Sequence, residues 1–258
     1  MKEITNEYAQ LMNNLQALKL TQFQTNLDTY IELINSKKKD IVGALLEITN
    51  AEIEVKNKRA MNACVKTAGF PFIKRFEDFD FTFQPTINKE EILDFKYLRF
   101  IEKKENILFI GSPGVGKTHL ATSIGIEAAL SRKIAYFITC YDLILQLKRA
   151  MLENRLEQKL KVLCKYKVLI IDEVGFTPMD QEGSNLFFQL ISKCYEKSSV
   201  IMTTNKQLSQ WGEIFGDPVL ANAILDRVLH HCHVINIVGK SYRTKDYLEI
   251  EELENNQN

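Results

Sequence analysis

Eight consecutive residues, Gly111, Ser112, Pro113, Gly114, Val115, Gly116, Lys117 and Thr118, combine three glycines with an ammonium and a hydroxyl in an order suited to a polyphosphate. Glycines let the backbone turn tightly and aim N–H groups at an anion. Lys117 supplies a point charge for the β- and γ-phosphates and Thr118 an oxygen for Mg²⁺, and His119 follows as the last candidate nucleotide contact. Further along, Val168-Leu169-Ile170-Ile171 ends in Asp172-Glu173, a Walker B pattern. Asp172 is placed to hold Mg²⁺, directly or through water. Glu173 is placed to orient and polarise the water that attacks the γ-phosphate, a group that a kinase does not need. A third run, from Ser198 to Thr204, ends in Asn205, whose amide suits a nucleotide sensor touching that water or the γ-phosphate. Alone, an asparagine there reads as an ordinary turn residue; the two preceding motifs raise it.

These groups act together only if regular elements carry them to one place. Beyond Asn106, short apolar runs at 107–110, 134–138, 168–171, 200–203 and 234–237 alternate with helical patterns. That alternation predicts an α/β domain with a five-stranded parallel sheet, flanking helices, and the strands' carboxyl ends along one edge. A helix from Lys117 to about Leu130 turns its positive end toward the anion. From about Glu7 to Cys64 there is no proline and one glycine, and Leu11, Leu15, Leu18 and Ile41, Leu45, Ile48 recur at helical spacing, predicting a small all-α N-terminal domain. Thr21 with Gln24 reads as a capping box opening a second helix, and 35–40 as the break before a third. The aromatic-rich stretch from Gly69 to Pro85 fits neither period and reads as an interdomain junction whose phenylalanines pack on the second domain. The resulting divisions are 1–68, helical, for partner or DNA interaction; 69–98, junction; 99–247, sheet domain; and 248–258, acidic tail.

Composition narrows the classes. The 33 Lys and Arg balance the 33 Asp and Glu, so there is no global basic field, and any nucleic-acid contact must be local. Five cysteines without a Cys-x-x-Cys pair argue against a disulfide framework or a zinc ribbon and fit a reducing cytosol. No apolar stretch has the length of a membrane span, and the polar start fits a cytoplasmic chain rather than an exported one. His230-His231-Cys232-His233 has metal-ligand types, but neighbours in one extended run do not all face one tetrahedral centre. They are expected to end a helix and lead into the last strand.

The phosphate loop continuing as Gly-Lys-Thr-His-Leu-Ala, the Asp172-Glu173 pair, Trp211 to Asp217, Ala223 to Arg227 and Gly239 to Arg243 together resemble the IstB transposition-helper family, which belongs with the DnaC-type helicase loaders among the AAA+ ATPases. The resemblance runs from Phe70-Pro71 to Arg243, with a weaker match through the N-terminal helices. It implies an AAA+ P-loop NTPase domain over 99–247 that binds ATP and Mg²⁺, hydrolyses ATP under DNA stimulation, and self-associates into a ring or spiral on double-stranded DNA. It implies Arg227 as an arginine finger reaching the neighbouring subunit's γ-phosphate and Arg243 as a sensor II residue within its own subunit. The implied partner is a DDE-type transposase; a replicative helicase is the alternative. Too few residues follow Ile237 for the usual helical lid. Between Asp142 and Lys167 seven basic residues, Lys148, Arg149, Arg155, Lys159, Lys161, Lys165 and Lys167, face three acids, a local positive patch that the resemblance assigns to DNA and that otherwise reads as a solvated helix face.

Overall fold

In this computed structural model, which describes residues 2–245 and the side chains from residue 6 onward, the glycine-poor start of the chain forms three helices, α1 (Lys2–Ala17), α2 (Thr21–Asn35) and α3 (Ile41–Thr67). The chain divides into two compact units, residues 1–63 and 64–258; the acidic tail at 248–258 lies outside the described residues. In the first unit Leu15, Ala44 and Ile48 are buried, whereas Leu18, Ile41 and Leu45 of the same helical rows are exposed. The start of α2 departs from the expected capping box. Leu20 occupies the cap position without a side-chain cap, and Thr21 is already helical. The Gln22 N–H donates instead to the buried Glu52 carboxylate of α3 at 2.6 Å, while the Thr21 hydroxyl accepts from Arg59 at 3.2 Å. A carboxylate from a neighbouring helix meets the positive end of α2, and no local pattern encodes that.

The second unit passes through an aromatic-rich segment with two 3-10 turns, at Phe76–Asp78 and Phe95–Tyr97, and two short helices, α4 (Lys89–Asp94) and α5 (Arg99–Lys103). Strands and helices then alternate: β1 (Asn106–Gly111), α6 (Lys117–Leu130), β2 (Ala135–Thr139), α7 (Cys140–Leu152), α8 (Leu156–Leu163), β3 (Val168–Val174), α9 (Gln181–Cys194), β4 (Ser199–Thr204), α10 (Trp211–Phe215), α11 (Pro218–Leu229) and β5 (Cys232–Ile237). The strands are all parallel, in the order β2-β3-β4-β1-β5.

Helices cover both faces of this sheet, which is why its central strands are apolar throughout rather than alternating. Leu108, Leu169, Ile171 and Met202 enter a core shared with α7, α8, α9, α10 and α11. Ile107, Phe109, Ile170 and Ile201 point the other way, into a core with α6. Phe76, Phe79, Phe95 and Phe100 are buried in that second core, so the aromatic segment packs on the sheet unit. Each such side chain stabilises the fold by about 1.5–3 kcal/mol relative to exposure. The insertion of β4 between β1 and β3 matters most for the site: parallel strands end on one edge, so the segments following β1, β4 and β3 stand side by side. Among the described residues no helix is long and apolar enough to cross a membrane.

Candidate nucleotide-binding site

The phosphate loop joins β1 to α6. Gly114 and Gly116 take φ of +83° and +99°, a region penalised for any residue with a β-carbon. A β-carbon at Gly116 would strike the Phe79 ring, and one at Gly114 would strike Ser241. These two glycines therefore admit other parts of the protein against the loop as well as a phosphate. The first turn of α6 presents free N–H groups and the positive end of its dipole. Lys117 Nζ donates to the carbonyls of Gly111 and Ser112 at 2.7 and 2.8 Å. Burial holds its pKa below the usual lysine value, the Asp172 carboxylate opposes that shift, and the Arg243 guanidinium adds to it.

The acidic end of the site starts 3.0 Å away from Thr118, whose hydroxyl donates to Asp172 Oδ1, with Oδ2 at 3.1 Å. A hydroxyl and a carboxylate held together are hard oxygen donors of the kind Mg²⁺ takes beside phosphates, so these residues fit that ion. Asp172 is buried and Glu173 exposed. Glu173 has φ +61°, and the pairing of β3 with β4 shifts register between Ile171 and Val174. Its N–H donates to Thr203 Oγ1 at 2.9 Å, and the Thr203 hydroxyl donates to Asp172 Oδ1 at 2.5 Å. The sequence does not single out Thr203, because a threonine in a strand is an ordinary β-former.

A cavity of about 520 Å³ collects Pro113, Gly114, Val115, Gly116, Lys117, Thr118 and His119 with Asp172, Glu173, Asn205 and Arg243. Its size suits a nucleotide. Gly111 closes β1 and Ser112 follows it, just outside the lining. Phe72 and Phe79 also line the cavity, and both rings meet the His119 ring edge-on. His119 Nε2 lies 2.9 Å from the Arg75 carbonyl, which only accepts, so Nε2 carries the proton. Burial lowers the His119 pKa, and the Arg75 carbonyl opposes the shift. Arg227 is not part of this cavity. It sits in the last turn of α11, its guanidinium 4.8 Å over the Phe188 ring and donating to the Ala223 carbonyl at 2.8 Å. Since α11 delivers the chain to the amino end of β5, Arg227 stands toward the sheet edge away from the loop.

Arg243 reaches the cavity on a short strap after β5. The Tyr242 N–H donates to the Gly114 carbonyl at 2.9 Å, Gln84 Nε2 to the Lys240 carbonyl at 2.9 Å, and the Thr86 hydroxyl to the Val238 carbonyl at 2.8 Å. Lys245 pairs with Asp80 at 3.2 Å. The Thr82 hydroxyl first, then the Phe83 N–H and Lys245, lower the Asp80 pKa to about 2. Residues 80–86 thus anchor a strap of a few residues beside the phosphate loop. The Trp211–Asp217 stretch lies elsewhere and lends support from below. Trp211, Ile214 and Phe215 are buried, and Ile214 packs against Gly175 and accepts from the Met179 N–H at 2.8 Å. It props the loop that follows Glu173.

His230 ends α11 and His233 lies in β5, where it pairs with Glu105 at 3.1 Å. The four residues of the histidine-rich run share no centre; His230 and His231 instead meet Glu196 at the surface, with one ligand-type atom from each within 4.8 Å of the others. The basic stretch on α7 and α8 carries fewer free cations than its composition implies. Lys148 pairs with Asp180 and Glu182, Arg155 with Glu153, and Lys161 with Glu157. Lys159 donates to Gln146 at 2.6 Å, and burial lowers its pKa. Arg149, Lys165 and Lys167 are exposed and form no ion pair among the described residues. The acids at the start of α9, distant in sequence, account for the pairing of Lys148.

The sequence model of the family described as IstB-like ATP binding protein matches residues 13–249. A protein named as an ATP-binding protein of insertion sequence IS232 from Bacillus thuringiensis subsp. berliner is 53% identical over 246 residues, covering 95% of this chain and 98% of its own. One named for insertion sequence IS5376 of Geobacillus stearothermophilus is 42% identical over 257 residues, covering 100% of both chains. Among solved structures, the DnaC helicase loader is similar with a TM-score of 0.50 and 25% identity, over 58% of this chain and 87% of its own. The sheet unit has the AAA+ P-loop fold of that protein. Matched through the helical unit and the sheet unit alike, the chain belongs to the IstB-like ATP binding protein family.

Proposed function

We propose that this protein is an ATP-hydrolysing, DNA-binding helper of an insertion-sequence transposase, assembling on double-stranded target DNA and stimulating or directing transposition. The observation that carries hydrolysis is Glu173 at the cavity, beside the Thr118–Asp172 pair and the phosphate loop. The loop N–H groups and Lys117 bind the β- and γ-phosphates, and Asn205 and Arg243 hold the γ-phosphate and the attacking water. Glu173 takes a proton from that water as its oxygen bonds to the γ-phosphorus and the bond to the ADP oxygen breaks. Thr118 and Asp172 hold Mg²⁺, which when bound offsets charge on the phosphate oxygens.

Arg227 acts on the site of the next subunit, a reading supported by its distance from its own cavity. A finger supplied in this way makes each interface head-to-tail and leads to a ring or spiral. Arg149 and Lys165 are the first contacts for DNA phosphates; Lys148, Arg155, Lys159 and Lys161 join them by exchanging their weak surface partners for phosphate. The helical unit serves as the partner- or DNA-interaction domain, consistent with its exposed Leu18, Ile41, Val42, Leu45 and Leu46; residues 69–98 serve as the junction and 99–247 as the ATPase domain, acting in the cytoplasm.

The names of the IS232 and IS5376 relatives favour a transposase as partner, while the likeness to a helicase loader supports the second reading. One set of measurements tests both: ATP turnover with and without duplex DNA, for the native chain and Glu173→Gln, with pull-downs against a DDE-type transposase and a replicative helicase. DNA-stimulated turnover that drops about 100-fold or more in Glu173→Gln, while ATP still binds, is the expected result. Capture of the helicase and not the transposase overturns the choice of partner.

A further inference from the structure

The Thr203 side chain hydrogen-bonds at once to the Asp172 carboxylate and to the backbone N–H of Glu173. It is 1% exposed and lies on β4, between the strands that deliver the phosphate loop and the acids. Glu173 N–H can only donate and the Asp172 carboxylate can only accept, so the hydroxyl between them must accept from the first and donate to the second. The direction of the chain is fixed: Glu173 N–H, then Thr203 O–H, then Asp172 Oδ1. Such a chain polarises along its length, so a change of charge or position at Asp172 is felt at the Glu173 backbone.

The backbone at Glu173 needs such a hold. A φ of +61° is sterically disfavoured for a residue with a β-carbon, and it occurs where β3 slips register against β4. Without the kink, alternation along β3 would put residues 172 and 173 on opposite faces of the sheet; with it, both line the same cavity. Thr204, the next residue, is equally buried, but its hydroxyl accepts from Lys206 N–H at 3.1 Å instead. Two adjacent threonines therefore have separable roles.

We propose that Thr203 is a positioning residue for ATP hydrolysis: its hydroxyl holds Glu173 in the left-handed turn that brings its carboxylate to the cavity, and couples that turn to Asp172. The catalytic half of this statement rests on the hydrolytic reading of Glu173. The positional half stands on the two hydrogen bonds alone.

The test compares Thr203→Val, which keeps the shape and loses the hydroxyl, with Thr203→Ser, which keeps the hydroxyl, in the full-length chain. Ser199→Ala, which removes a buried β4 hydroxyl outside the cavity, is the control for buried-strand effects, and Thr203→Ala replaces Thr203→Val if that variant does not fold. Three quantities are read: the Kd for a nonhydrolysable ATP analogue with Mg²⁺, kcat, and hydrogen exchange at the Glu173 amide. In Thr203→Val, kcat falls on the order of 10- to 100-fold while Kd stays within about threefold, and the Glu173 amide loses protection. In Thr203→Ser and Ser199→Ala all three stay near the native values. Normal kcat with a protected Glu173 amide in Thr203→Val overturns the proposal. So does an equal loss in Thr203→Ser, which would assign the effect to the methyl group. If the native chain shows no turnover with DNA, the hydrolytic reading fails, and exchange at the Glu173 amide alone decides the positional half.

Discussion

At the scale of single residues, the cavity sets charged and neutral groups by burial. His119 is the one most open to a simple measurement, since its half-buried ring packs against Phe72 and Phe79 and its pKa lies below the ordinary 6.5. The unfolded chain therefore takes up a proton near 6.5 and the folded chain only at lower pH. Its contribution to stability is complete above 6.5 and declines as pH falls from there toward the lowered value. Thermal unfolding followed from about pH 7.5 to about pH 5.5 should show a larger drop in Tm for the native chain than for His119→Gln. Equal slopes would mean that the ring is not shielded from water. The thiols of the buried Cys140 and the partly buried Cys232, both pushed up to about 12 by desolvation, are expected to stay unreactive toward neutral thiol reagents at pH 8 in the folded protein.

At the scale of elements, short tertiary contacts do what longer elements do elsewhere. The strap at 238–245 is held by residues 80–86 and by the Gly114 carbonyl, and Gly114 leaves no room beside Ser241. Gly114→Ala introduces a β-carbon at φ +83° and displaces the strap. It is expected to weaken ATP binding by about tenfold or more and to destabilise the sheet unit by about 1–2 kcal/mol, read by calorimetric titration and urea unfolding. In the helical unit, Glu52→Ala removes the carboxylate that caps α2, at a cost of about 1–2 kcal/mol. Its signature is earlier loss of helical signal with nucleotide affinity unchanged; a shifted affinity would contradict the separation of roles between the two units.

At the scale of the whole molecule, the separation of Arg227 from its own cavity leads to a mixing experiment. Arg227→Ala and Glu173→Gln are each expected to be inactive, yet a mixture restores part of the DNA-stimulated turnover, because some interfaces then pair an intact Arg227 with an intact Glu173. No recovery at any ratio would place Arg227 outside the catalytic site. The order of elements, the five parallel strands and the phosphate loop were legible in the sequence, since each depends on residues adjacent in the chain: an apolar run makes a buried strand, and glycines before a lysine make an anion cradle. The capping of α2 by Glu52, the strap over Gly114, the neutralisation of Lys148 and the Thr203 bridge were not legible. Each joins residues far apart in sequence through polar groups that have no local periodicity. Sequence alone determined which chemistry the chain carries and on what kind of sheet; the strand order, with β4 inserted between β1 and β3, decided which hydroxyl holds the acids together, because hydrogen bonds form only between groups that the fold has brought within about 3 Å.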